Sequence, residues 1–366
     1  MNSPTYDTPC IMIDLDKVER NIRHMQQIAD DHGIGLRPHA KTHKMPEVAR
    51  MQMAAGAIGV TVAKLGEAEV LAKAGISDIL IAYPVIGGDK IKRLAALLTM
   101  THITVAVESI EGVEAVAEAG RLAEVPVDVL IEIDSGFGRV GLNPGEDVIR
   151  LAGVIASHPW LRLNGLLTFA GQSYDVPDPE AIRLTAEREV GTSVRMAEQL
   201  REAGYPVTVV SVGSTPSSSY AAAIPGATEL RPGTYVFGDL MQVKLGAHEL
   251  ERCALTVRAT VISRPAPDRA VIDAGSKVFS SDGEDSPLGT GRGYVPGRPG
   301  ITLEWLTEEH GMLKLAPEEQ GLAIGDILDF IPVHCCAVVN LTDRVAVTRN
   351  GQFESFWNVS ARGKVR

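Results

Sequence analysis

The chain has 366 residues, of which 45% are apolar and 22% charged, a composition typical of a soluble globular protein with more than one domain. A net charge of -11 argues against nucleic acid as the main partner. No apolar run approaches the roughly 20 residues of a membrane span, and the polar N-terminus MNSPTYDTPC does not resemble a signal peptide. Four cysteines are too few and too unevenly placed for a disulfide framework. These features predict a cytoplasmic protein of enzyme size that binds neither nucleic acid nor membrane.

The first two thirds of the chain alternate between helical and strand patterns. Asp14–Asp31 has apolar residues at spacings of three and four, which predicts an amphipathic helix. The predicted strands are Gly35–Pro38, Ile58–Val62, Ile79–Ala82, Ile103–Val107, Val127–Asp134, Leu163–Phe169, Val207–Val212 and Glu229–Val236. Many of them are apolar without alternation, as in strands buried on both faces of a parallel sheet. Eight strands separated by helix-sized segments over about 200 residues favour a (β/α)₈ TIM barrel within the α/β class. A doubly wound open sheet stays possible, although no GxGxxG motif follows the first strand.

The pattern changes near Phe237. From Cys253 onward, short runs of strand-forming residues are broken by Pro, Gly, Asn and Asp, which predicts strands and hairpins with little helix. We therefore place a barrel at residues 14–237 and a mainly antiparallel β domain at residues 238–366, with residues 1–13 adding a strand to it. Its loop at residues 280–300 is rich in Gly, Pro and Ser, and a loop of that length indicates a functional segment.

The segment Arg37–Lys44, RPHAKTHK, follows the first predicted strand and carries five basic or potentially basic side chains. One interpretation is a solvated basic turn. The other is a lysine held beside cations, so that its amine is partly deprotonated and forms a Schiff base. In a barrel, functional residues gather at the C-terminal ends of the strands, which is where this segment would lie.

Two further strand ends have the features of an anion site. In Val212–Ser217, VGSTPS, Gly213 allows close backbone approach, and Ser214 and Thr215 offer hydroxyl and N–H donors. The segment Arg231–Tyr235, RPGTY, offers the same resources, and a phosphate site between the last two strands recurs in such barrels. The alternative for each motif alone is an ordinary helix cap. A phosphate site near a reactive lysine suggests pyridoxal phosphate.

Several motifs, taken together and in order, resemble one enzyme group. They are TPCIMIDLDKVERNI, RPHAKTHK, DSGFGRVG, VGSTPS, RPGTYVFGD, VIDAGSK, EEHG and PVHCCAVVNL, and they cover nearly the whole chain. They resemble the D-threonine aldolase and D-serine dehydratase group, pyridoxal-phosphate enzymes with the alanine-racemase type of fold (fold type III).

The resemblance implies roles for particular residues. Lys41 would be the Schiff-base lysine, and Arg139 would lie near the phenolic oxygen of the cofactor. Arg231 would face the pyridine nitrogen, leave it unprotonated and weaken the ring as an electron sink. The remaining residues expected to bind the cofactor are Gln172, Tyr174, Gly213, Ser214, Thr215, Gly233, Thr234 and Tyr235.

The β domain carries a candidate metal site. His334 and Cys336 follow a predicted strand, so alternation places both side chains on one face, with Cys335 on the other. The alternative is a buried cysteine pair beside a packed histidine. Members of the group carry His-x-Cys or His-x-Asp here, which implies a divalent metal such as Mn²⁺, Zn²⁺, Mg²⁺ or Co²⁺. With only two protein ligands, that metal would have open positions for a substrate hydroxyl.

The identity of the general base stays open. The sixth strand ends in AGQSY, where the group often has a histidine, and Gln172 cannot act as a base. The candidates are His39, His43, His310 or a hydroxide on the metal, with His39 and His43 expected beside Lys41 as catalytic residues. For each histidine the alternative is a surface or capping role.

These expectations predict a pyridoxal-phosphate- and metal-dependent lyase that cleaves D-β-hydroxy-α-amino acids into glycine and an aldehyde. In the alternative, Lys41 removes the Cα proton, and the enzyme is a D-serine or 3-hydroxy-D-aspartate dehydratase that forms a keto acid and ammonia. A non-catalytic pyridoxal-phosphate carrier is disfavoured, because such carriers typically lack the second domain. The resemblance also implies a homodimer whose active site is shared between subunits.

Overall fold

The computed structural model describes residues 7–176, 178–282, 285–286, 289–319 and 321–366. It divides into two compact units: a β unit of residues 1–22, 42–45 and 234–362, and a barrel unit of residues 23–41, 46–233 and 363–366. Strand β1, Cys10–Asp14, belongs to the β unit, and helix α1, Leu15–Asp31, begins there and ends in the barrel unit. The domain boundaries predicted from the sequence stay a prediction.

The barrel unit is a parallel sheet that, in the part of the chain described, has eight strands. They are β2 Gly35–Leu36, β3 Val60–Val62, β4 Asp78–Ile81, β5 His102–Val107, β6 Val127–Glu132, β7 Leu161–Leu167, β8 Val209–Val212 and β9 Glu229–Leu230. Strand β2 pairs with β9 on one side. On the other side, Ile58 N donates to Leu36 O at 2.9 Å and Thr61 N donates to Pro38 O at 2.8 Å. The sheet therefore closes on itself, and the predicted barrel is confirmed.

Helices follow the strands in turn. They are α2 Pro46–Ala54, α3 Leu65–Lys73, α4 Gly88–Leu98, α5 Ile110–Ala123, α6 Glu146–Ser157, α7 Pro179–Glu202 and α8 Ser218–Ala222. Local sequence explains where the longer ones start: Ser109 caps α5, and Asp178 caps α7 by accepting from Ala181 N at 2.8 Å. None of the described helices combines the length and the apolar character that a bilayer crossing needs.

The barrel unit holds an apolar cluster and a chain of ion pairs that runs from the buried Glu229 to the exposed Arg162. Leu80, Ala106, Leu130 and Leu167, one from each of four neighbouring strands, form the apolar cluster. The ion pairs connect, in order, Glu229, Arg37, Asp78, His102, Asp128 and Arg162. Each charge in this chain is thus paired with an opposite charge, which offsets the cost of removing the buried members from water.

His102 is the titratable link of this chain. Its Nε2 lies 2.8 Å from Asp128 Oδ2 and its Nδ1 lies 3.2 Å from Asp78 Oδ2. The hydrogen bond to Asp128, reinforced by that to Asp78, raises the pKa of His102 from 6.5 to about 9. The imidazolium therefore joins two carboxylates over the whole neutral range.

The β unit is built on a mainly antiparallel sheet. Its strands after β1 are β10 Leu255–Ala266, β11 Arg269–Ile272, β12 Asp285–Ser286, β13 Gly289–Thr290, β14 Gly293–Tyr294, β15 Ile301–Leu306, β16 Gly311–Leu315, β17 Ile327–Pro332, β18 Arg344–Arg349 and β19 Gln352–Asn358. The main sheet runs β15-β16-β11-β10-β1-β18-β19, with β17 on β10 and β14 on β17, while β12 pairs with β13 alone. Strand β1 runs antiparallel to β10 and parallel to β18. The second part of the predicted fold, a mainly antiparallel β structure, is confirmed.

Three short helices complete the described part of this unit: α9 Leu240–Lys244, α10 Ser276–Phe279 and α11 Cys335–Leu341. Beneath α9 and the start of α11 lies an apolar cluster of Leu240, Cys253, Ile331 and Val333. The predicted functional segment at residues 280–300 begins directly after α10 and contains strands β12 to β14, but residues 283–284 and 287–288 lie outside the described residues.

We expect His102→Gln to remove a pH-dependent part of the stability. A raised folded-state pKa contributes stability that is fully present below about 6.5 and is lost as the pH rises through about 9. The difference in free energy of unfolding between wild type and His102→Gln should therefore shrink between those pH values in denaturant titrations. Because the side chain is 47% exposed, solvent screening limits the size of the effect. His32→Gln, at an exposed site outside the ion-pair chain, is the control, and a pH-independent difference for His102→Gln would contradict the assignment.

Candidate functional site

The barrel unit contains a cavity of about 580 Å³ at the C-terminal ends of its strands. Its ionisable lining residues are His39, Lys41, Lys64, Lys90, Glu132 and Arg139. The volume lies within the roughly 300–1,000 Å³ of small-molecule sites, and the position is the one that barrel enzymes use. Three residues predicted from the sequence, His39, Lys41 and Arg139, are therefore brought to one cavity.

Lys41 lies in a 3₁₀ turn, Ala40–Thr42, directly after the first barrel strand. Its backbone N donates to His39 Nδ1 at 3.4 Å, and its Nζ lies 5.8 Å from the centroid of the Phe169 ring. Arg139 Cζ lies 4.8 Å from the same centroid. Phe169 is a site residue that the sequence analysis did not single out, and its ring face attracts both cations. Arg37, from the same basic segment as Lys41, instead belongs to the ion-pair chain of the barrel unit.

The loop that carries Arg139 is shaped by a single carboxylate. Asp134 Oδ1 accepts from the backbone N of Gly136 and of Phe137 at 2.8 Å each, and from that of Gly138 at 3.1 Å. Gly136 and Gly138 have φ of +116° and +72°, a region that side chains rarely adopt. The motif DSGFGR is thus a local hydrogen-bonded turn that holds Arg139 at the strand end.

Glu132 is a second residue that the sequence analysis missed. Burial raises its pKa to about 7, although Arg231 and Arg139 act in the opposite direction. Its Oε2 is buried and has no hydrogen-bond partner among the described residues. The sequence signal that could have identified Glu132 is its position as an acidic residue within the mainly apolar strand segment VDVLIEID. A carboxyl group with a pKa near neutrality is suited to proton transfer.

The predicted anion site is a cluster of buried serines. Ser214 Oγ lies 2.9 Å from both Ser173 Oγ and Ser217 Oγ, and Ser214 N donates to Ser217 Oγ at 2.9 Å. Gly213 has φ of +89°, a conformation that other residues rarely adopt, and a Cβ there would lie in tight contact, 3.2 Å from a side-chain carbon of Leu230. Thr215 is buried beside this cluster. Hydroxyl donors around a glycine that permits close approach fit a phosphate group.

A buried glutamate, Glu189, accepts hydrogen bonds from the loops that form this cluster. Glu189 Oε1 accepts from Gly213 N at 3.0 Å and from Ala170 N at 3.2 Å, and so ties together the ends of β7 and β8. Complete burial raises the pKa of Glu189 to about 7, against the effect of these hydrogen bonds and of Arg231. Its place on α7, far along the chain from both loops, explains why sequence reasoning missed it.

Arg231 lies inside the barrel and does not line the cavity among its described residues. It donates to Ser211 Oγ and to Thr168 O. Burial lowers the pKa of Arg231, while the charges of Glu229, Glu189 and Glu132 act to raise it. Its predicted role at the pyridine nitrogen stays a prediction.

Gln172 and Tyr174 belong to a 3₁₀ turn, Gly171–Tyr174. Gln172 Nε2 donates to Ser135 O at 3.4 Å, and its buried Oε1 has no partner among the described residues. The Tyr174 ring centroid lies 6.4 Å from that of Phe169. Tyr174 therefore lies near the aromatic ring that also contacts Lys41 and Arg139, whereas Gln172 contacts the loop that carries Arg139.

The β unit contains the histidine–cysteine pair. His334 and Cys336 follow a strand, β17, as predicted, but the predicted strand-like alternation does not extend to them, because His334 is the N-cap of α11 and Cys336 lies in its first turn. The two side chains are nevertheless hydrogen-bonded to each other. Burial alone would lower the pKa of His334, but the hydrogen bonds and negative charges of Cys336, Asp239 and Asp282 together outweigh it and raise the pKa to about 10. Hydrogen bonds from Cys335 and His334 lower the pKa of the Cys336 thiol well below its usual value.

Other residues hold this pair in place. Asp282 is hydrogen-bonded to His334 Nδ1, and Cys335 N donates to Asp239 Oδ2 at 3.0 Å. Cys336 Sγ lies 3.4 Å from Thr42 Oγ1 and 3.7 Å from Thr234 Oγ1. The predicted role of Thr234 in binding the phosphate stays a prediction, and its hydroxyl lies beside the thiol. Neither the aspartates nor Thr42 was singled out in the sequence.

A metal ion would find a suitable but incomplete set of donors here. Imidazole and thiolate are ligands of Zn²⁺ and related ions, and a carboxylate on the other imidazole nitrogen is the usual support of a metal-binding histidine. Over the described residues, no group of three or more His, Cys, Asp or Glu side chains is arranged to hold a metal. A metal at this pair would therefore have open coordination positions.

The remaining predicted residues do not join the barrel cavity. His43 is buried in the β unit, where its Nδ1 accepts from Met45 N at 3.1 Å, and His310 is exposed in the same unit. Tyr235 is buried in the 3₁₀ turn Thr234–Val236 of the β unit, while Gly233 ends the barrel unit. Of the histidines considered as a base, His39 alone lines the described part of the cavity.

Comparison with known families matches both parts of the chain. Residues 13–241 match the family model of the alanine racemase N-terminal domain, and residues 254–348 match that of a putative serine dehydratase domain. D-threonine aldolase from Arthrobacter sp. is 36% identical, with 98% of this chain and 93% of that protein covered. D-threo-3-hydroxyaspartate dehydratase from Delftia sp. (strain HT23) is 38% identical, with coverages of 99% and 96%.

Solved structures give the same relationship. D-threonine aldolase from Filomicrobium marinum superposes with a TM-score of 0.93 at 33% identity over the full length of both chains. Two variants of D-threo-3-hydroxyaspartate dehydratase, both 36% identical to this chain, superpose with TM-scores of 0.88 and 0.87. One has alanine in place of a histidine, and the other has alanine in place of a cysteine two positions later. The cysteine variant is described as the metal-free form.

We expect Glu189→Ala to destabilise the barrel and weaken anion binding at the serine cluster. The substitution leaves Ala170 N and Gly213 N without their acceptor, at a cost of roughly 1–3 kcal/mol for each buried N–H group. Glu189→Gln, which keeps one carbonyl oxygen as an acceptor, is the matched control and should lose less stability and less anion affinity. Denaturant unfolding measures the free energy of unfolding. The dissociation constant of pyridoxal phosphate measures how strongly the serine cluster binds the phosphate group. Equal stability of Glu189→Ala and Glu189→Gln would show that the two backbone bonds do not hold these loops.

Proposed function

Because the chain belongs to the D-threonine aldolase and D-serine dehydratase family of fold type III pyridoxal-phosphate enzymes, we propose that it is a lyase that cleaves D-β-hydroxy-α-amino acids into glycine and an aldehyde. The observation that carries the proposal is the barrel cavity, where Lys41 and Arg139 share the Phe169 ring. Full-length similarity to a D-threonine aldolase, with a TM-score of 0.93, supports the aldolase form.

The residues of the barrel unit fit pyridoxal 5'-phosphate. Lys41 would hold the cofactor through its amine, Arg139 would face the phenolic oxygen or the substrate carboxylate, and Ser214 would bind the phosphate. When bound, the cofactor supplies the electron sink for the bond that breaks at Cα. The cavity volume and the buried serine donors are the observations that support this fit.

The chain's own residues would move the protons that the reaction requires. The β-hydroxyl has to lose its proton as the Cα–Cβ bond breaks, and Cα has to gain one before glycine leaves. Of the described lining residues, the imidazole of His39 and the carboxyl group of Glu132 would accept protons besides Lys41. Glu132, with a pKa of about 7, would be about half ionised at neutral pH and could act in both directions. Gln172, as expected from the sequence, would not take part as a base.

We further propose that His334 and Cys336 hold a divalent metal. The metal would supply a Lewis acid for the substrate hydroxyl, and Asp282 would orient the His334 ring. The support is the lowered pKa of the Cys336 thiol, together with the metal-free form of the dehydratase variant that lacks a cysteine in the same His-x-Cys spacing.

A second candidate function is dehydration, which gives a keto acid and ammonia. It is favoured by the 38% identity to D-threo-3-hydroxyaspartate dehydratase over nearly the whole chain. Lys41 would then remove the Cα proton, and the hydroxyl group would leave from Cβ. A non-catalytic carrier is a weaker alternative, because carrying pyridoxal phosphate requires neither the β unit nor its His334–Cys336 pair. A homodimer and a cytoplasmic location remain predictions.

We expect the protein to be yellow when loaded with pyridoxal phosphate and to convert D-threonine into glycine and acetaldehyde. Lys41→Ala should lose the visible absorbance of the Schiff base and reduce turnover by at least about 100-fold, since the residue would hold the cofactor and handle protons. Absorbance spectra and product analysis by chromatography measure both effects. A keto acid and ammonia as products would select the dehydratase, and a loaded protein that turns over no D-β-hydroxy amino acid would select the carrier.

We expect chelation to abolish turnover while the yellow colour stays, and Mn²⁺ or Zn²⁺ to restore turnover. Cys336→Ala and His334→Ala should each lose at least about tenfold in metal affinity, measured by calorimetry. Cys10→Ser, at a half-buried cysteine elsewhere in the same unit, is the control for loss of a thiol. Turnover that survives exhaustive chelation and Cys336→Ala would rule out the metal site.

A further inference from the structure

The cavity of the barrel unit carries more positive charge than the proposed reaction uses. Lys41, Lys64, Lys90 and Arg139 line it, and Glu132 is the single acid among its described lining residues. Because burial raises the pKa of Glu132 to about 7, that acid neutralises at most part of one cation at neutral pH. The ion pairs found among the described residues include neither Lys64 nor Lys90.

The two extra lysines lie where helices begin. Lys64 is the N-cap of α3, and Lys90 lies in the first turn of α4. The N-terminal end of a helix carries partial positive charge, so cations are disfavoured there by roughly 0.3–1 kcal/mol each. Two lysines at such positions, facing one cavity, create a site that favours an anion.

Lys64 is also held in place. Its Nζ lies 3.5 Å from the centroid of the Tyr83 ring, and hydrogen bonding and charge from Lys64 lower the pKa of Tyr83. A flexible surface lysine would sample many rotamers, whereas an ammonium group over an aromatic face is partly fixed before a ligand arrives.

The substrate chemistry supplies a matching anion. Every α-amino acid brings one carboxylate, for which Arg139 is available, and a neutral side chain such as that of threonine brings no second anion to Lys64 and Lys90. Sequence similarity does not indicate which substrate side chain is preferred, because the relatives include a D-threonine aldolase and a D-threo-3-hydroxyaspartate dehydratase at nearly equal identity. The charges of the cavity do.

We infer that Lys64 and Lys90 form a subsite for a carboxylate on the substrate side chain, so that the preferred substrate is a D-β-hydroxy dicarboxylic amino acid such as 3-hydroxy-D-aspartate. The inference rests on the proposed function, whose reaction it narrows to an acidic substrate class. It assigns Lys64 and Lys90 a role in specificity and none in the chemical step.

The test compares two substrates in the enzyme loaded with pyridoxal phosphate and Mn²⁺. We expect wild type to have a higher kcat/KM for 3-hydroxy-D-aspartate than for D-threonine. Lys64→Gln and Lys90→Gln should each lower the value for 3-hydroxy-D-aspartate about tenfold more than the value for D-threonine, as expected when a charged hydrogen bond to the side-chain carboxylate is lost. Lys64→Arg, which keeps the charge, should retain the preference. Lys92→Gln, at an exposed position of the same helix as Lys90, should behave like wild type.

A binding measurement separates the subsite from the reaction. D-aspartate and D-2-aminobutyrate both lack the β-hydroxyl group, and calorimetry gives their dissociation constants. We expect tighter binding of D-aspartate in wild type, a loss of about tenfold in Lys64→Gln or Lys90→Gln, and a smaller advantage at high ionic strength.

Each outcome has one meaning. A wild-type preference for D-threonine, or an equal loss for both substrates in the lysine variants, would overturn the subsite. Lysine-dependent binding of D-aspartate without turnover of either substrate would support the subsite and overturn the proposed lyase activity. Turnover with D-aspartate affinities that do not depend on either lysine would support the lyase and overturn the subsite.

Discussion

The burial of the Arg231 guanidinium inside the barrel is the constraint on which much of this structure depends. A charge removed from water is tolerated only when hydrogen bonds and opposite charges surround it. Arg231 satisfies this need with Ser211 on β8 and with the carbonyl of Thr168 directly after β7, while Glu132, Glu189 and Glu229 supply negative charge. The same need explains why several acids lie in the barrel interior. Burial raises the pKa of Glu132 and of Glu189, and the positive charge of Arg231 acts in the opposite direction.

Carboxylates also shape the loops that present the functional residues. Asp134 collects the backbone N–H groups of the turn before Arg139, Glu189 collects those of Ala170 and Gly213, and Asp239 accepts from Cys335. In each case a side chain replaces the partners that a loop backbone lacks, since loops have no ladder of their own. The functional side chains are thus positioned by rigid hydrogen bonding near their backbone, which favours binding without large rearrangement.

Much of the fold could be predicted because its signals are local. The buried parallel strands are continuous apolar runs, and their number and spacing along the chain are those of a closed barrel. Strand ends therefore indicated where Lys41, Arg139 and Ser214 would gather, and the cavity contains the first two. The error at His334–Cys336 has a local cause: Val333 ends an apolar run, and the following residues suit either a strand or a helix start. Only the backbone geometry, with His334 as an N-cap, separates the two.

The sequence alone determined the order of elements, the strand ends that carry chemistry, and the lysine and histidine–cysteine motifs, because each depends on neighbouring residues and on periodicity. Tertiary structure decided which distant residues meet. Phe169 is placed against Lys41 and Arg139, Glu132 is given a pKa near neutrality, Asp282 reaches His334, and Lys64 and Lys90 face the same cavity. These relations depend on distances between residues far apart in the chain and on the dielectric surroundings that burial creates. A local sequence pattern determines neither these distances nor the dielectric surroundings, because both are set only when the barrel closes.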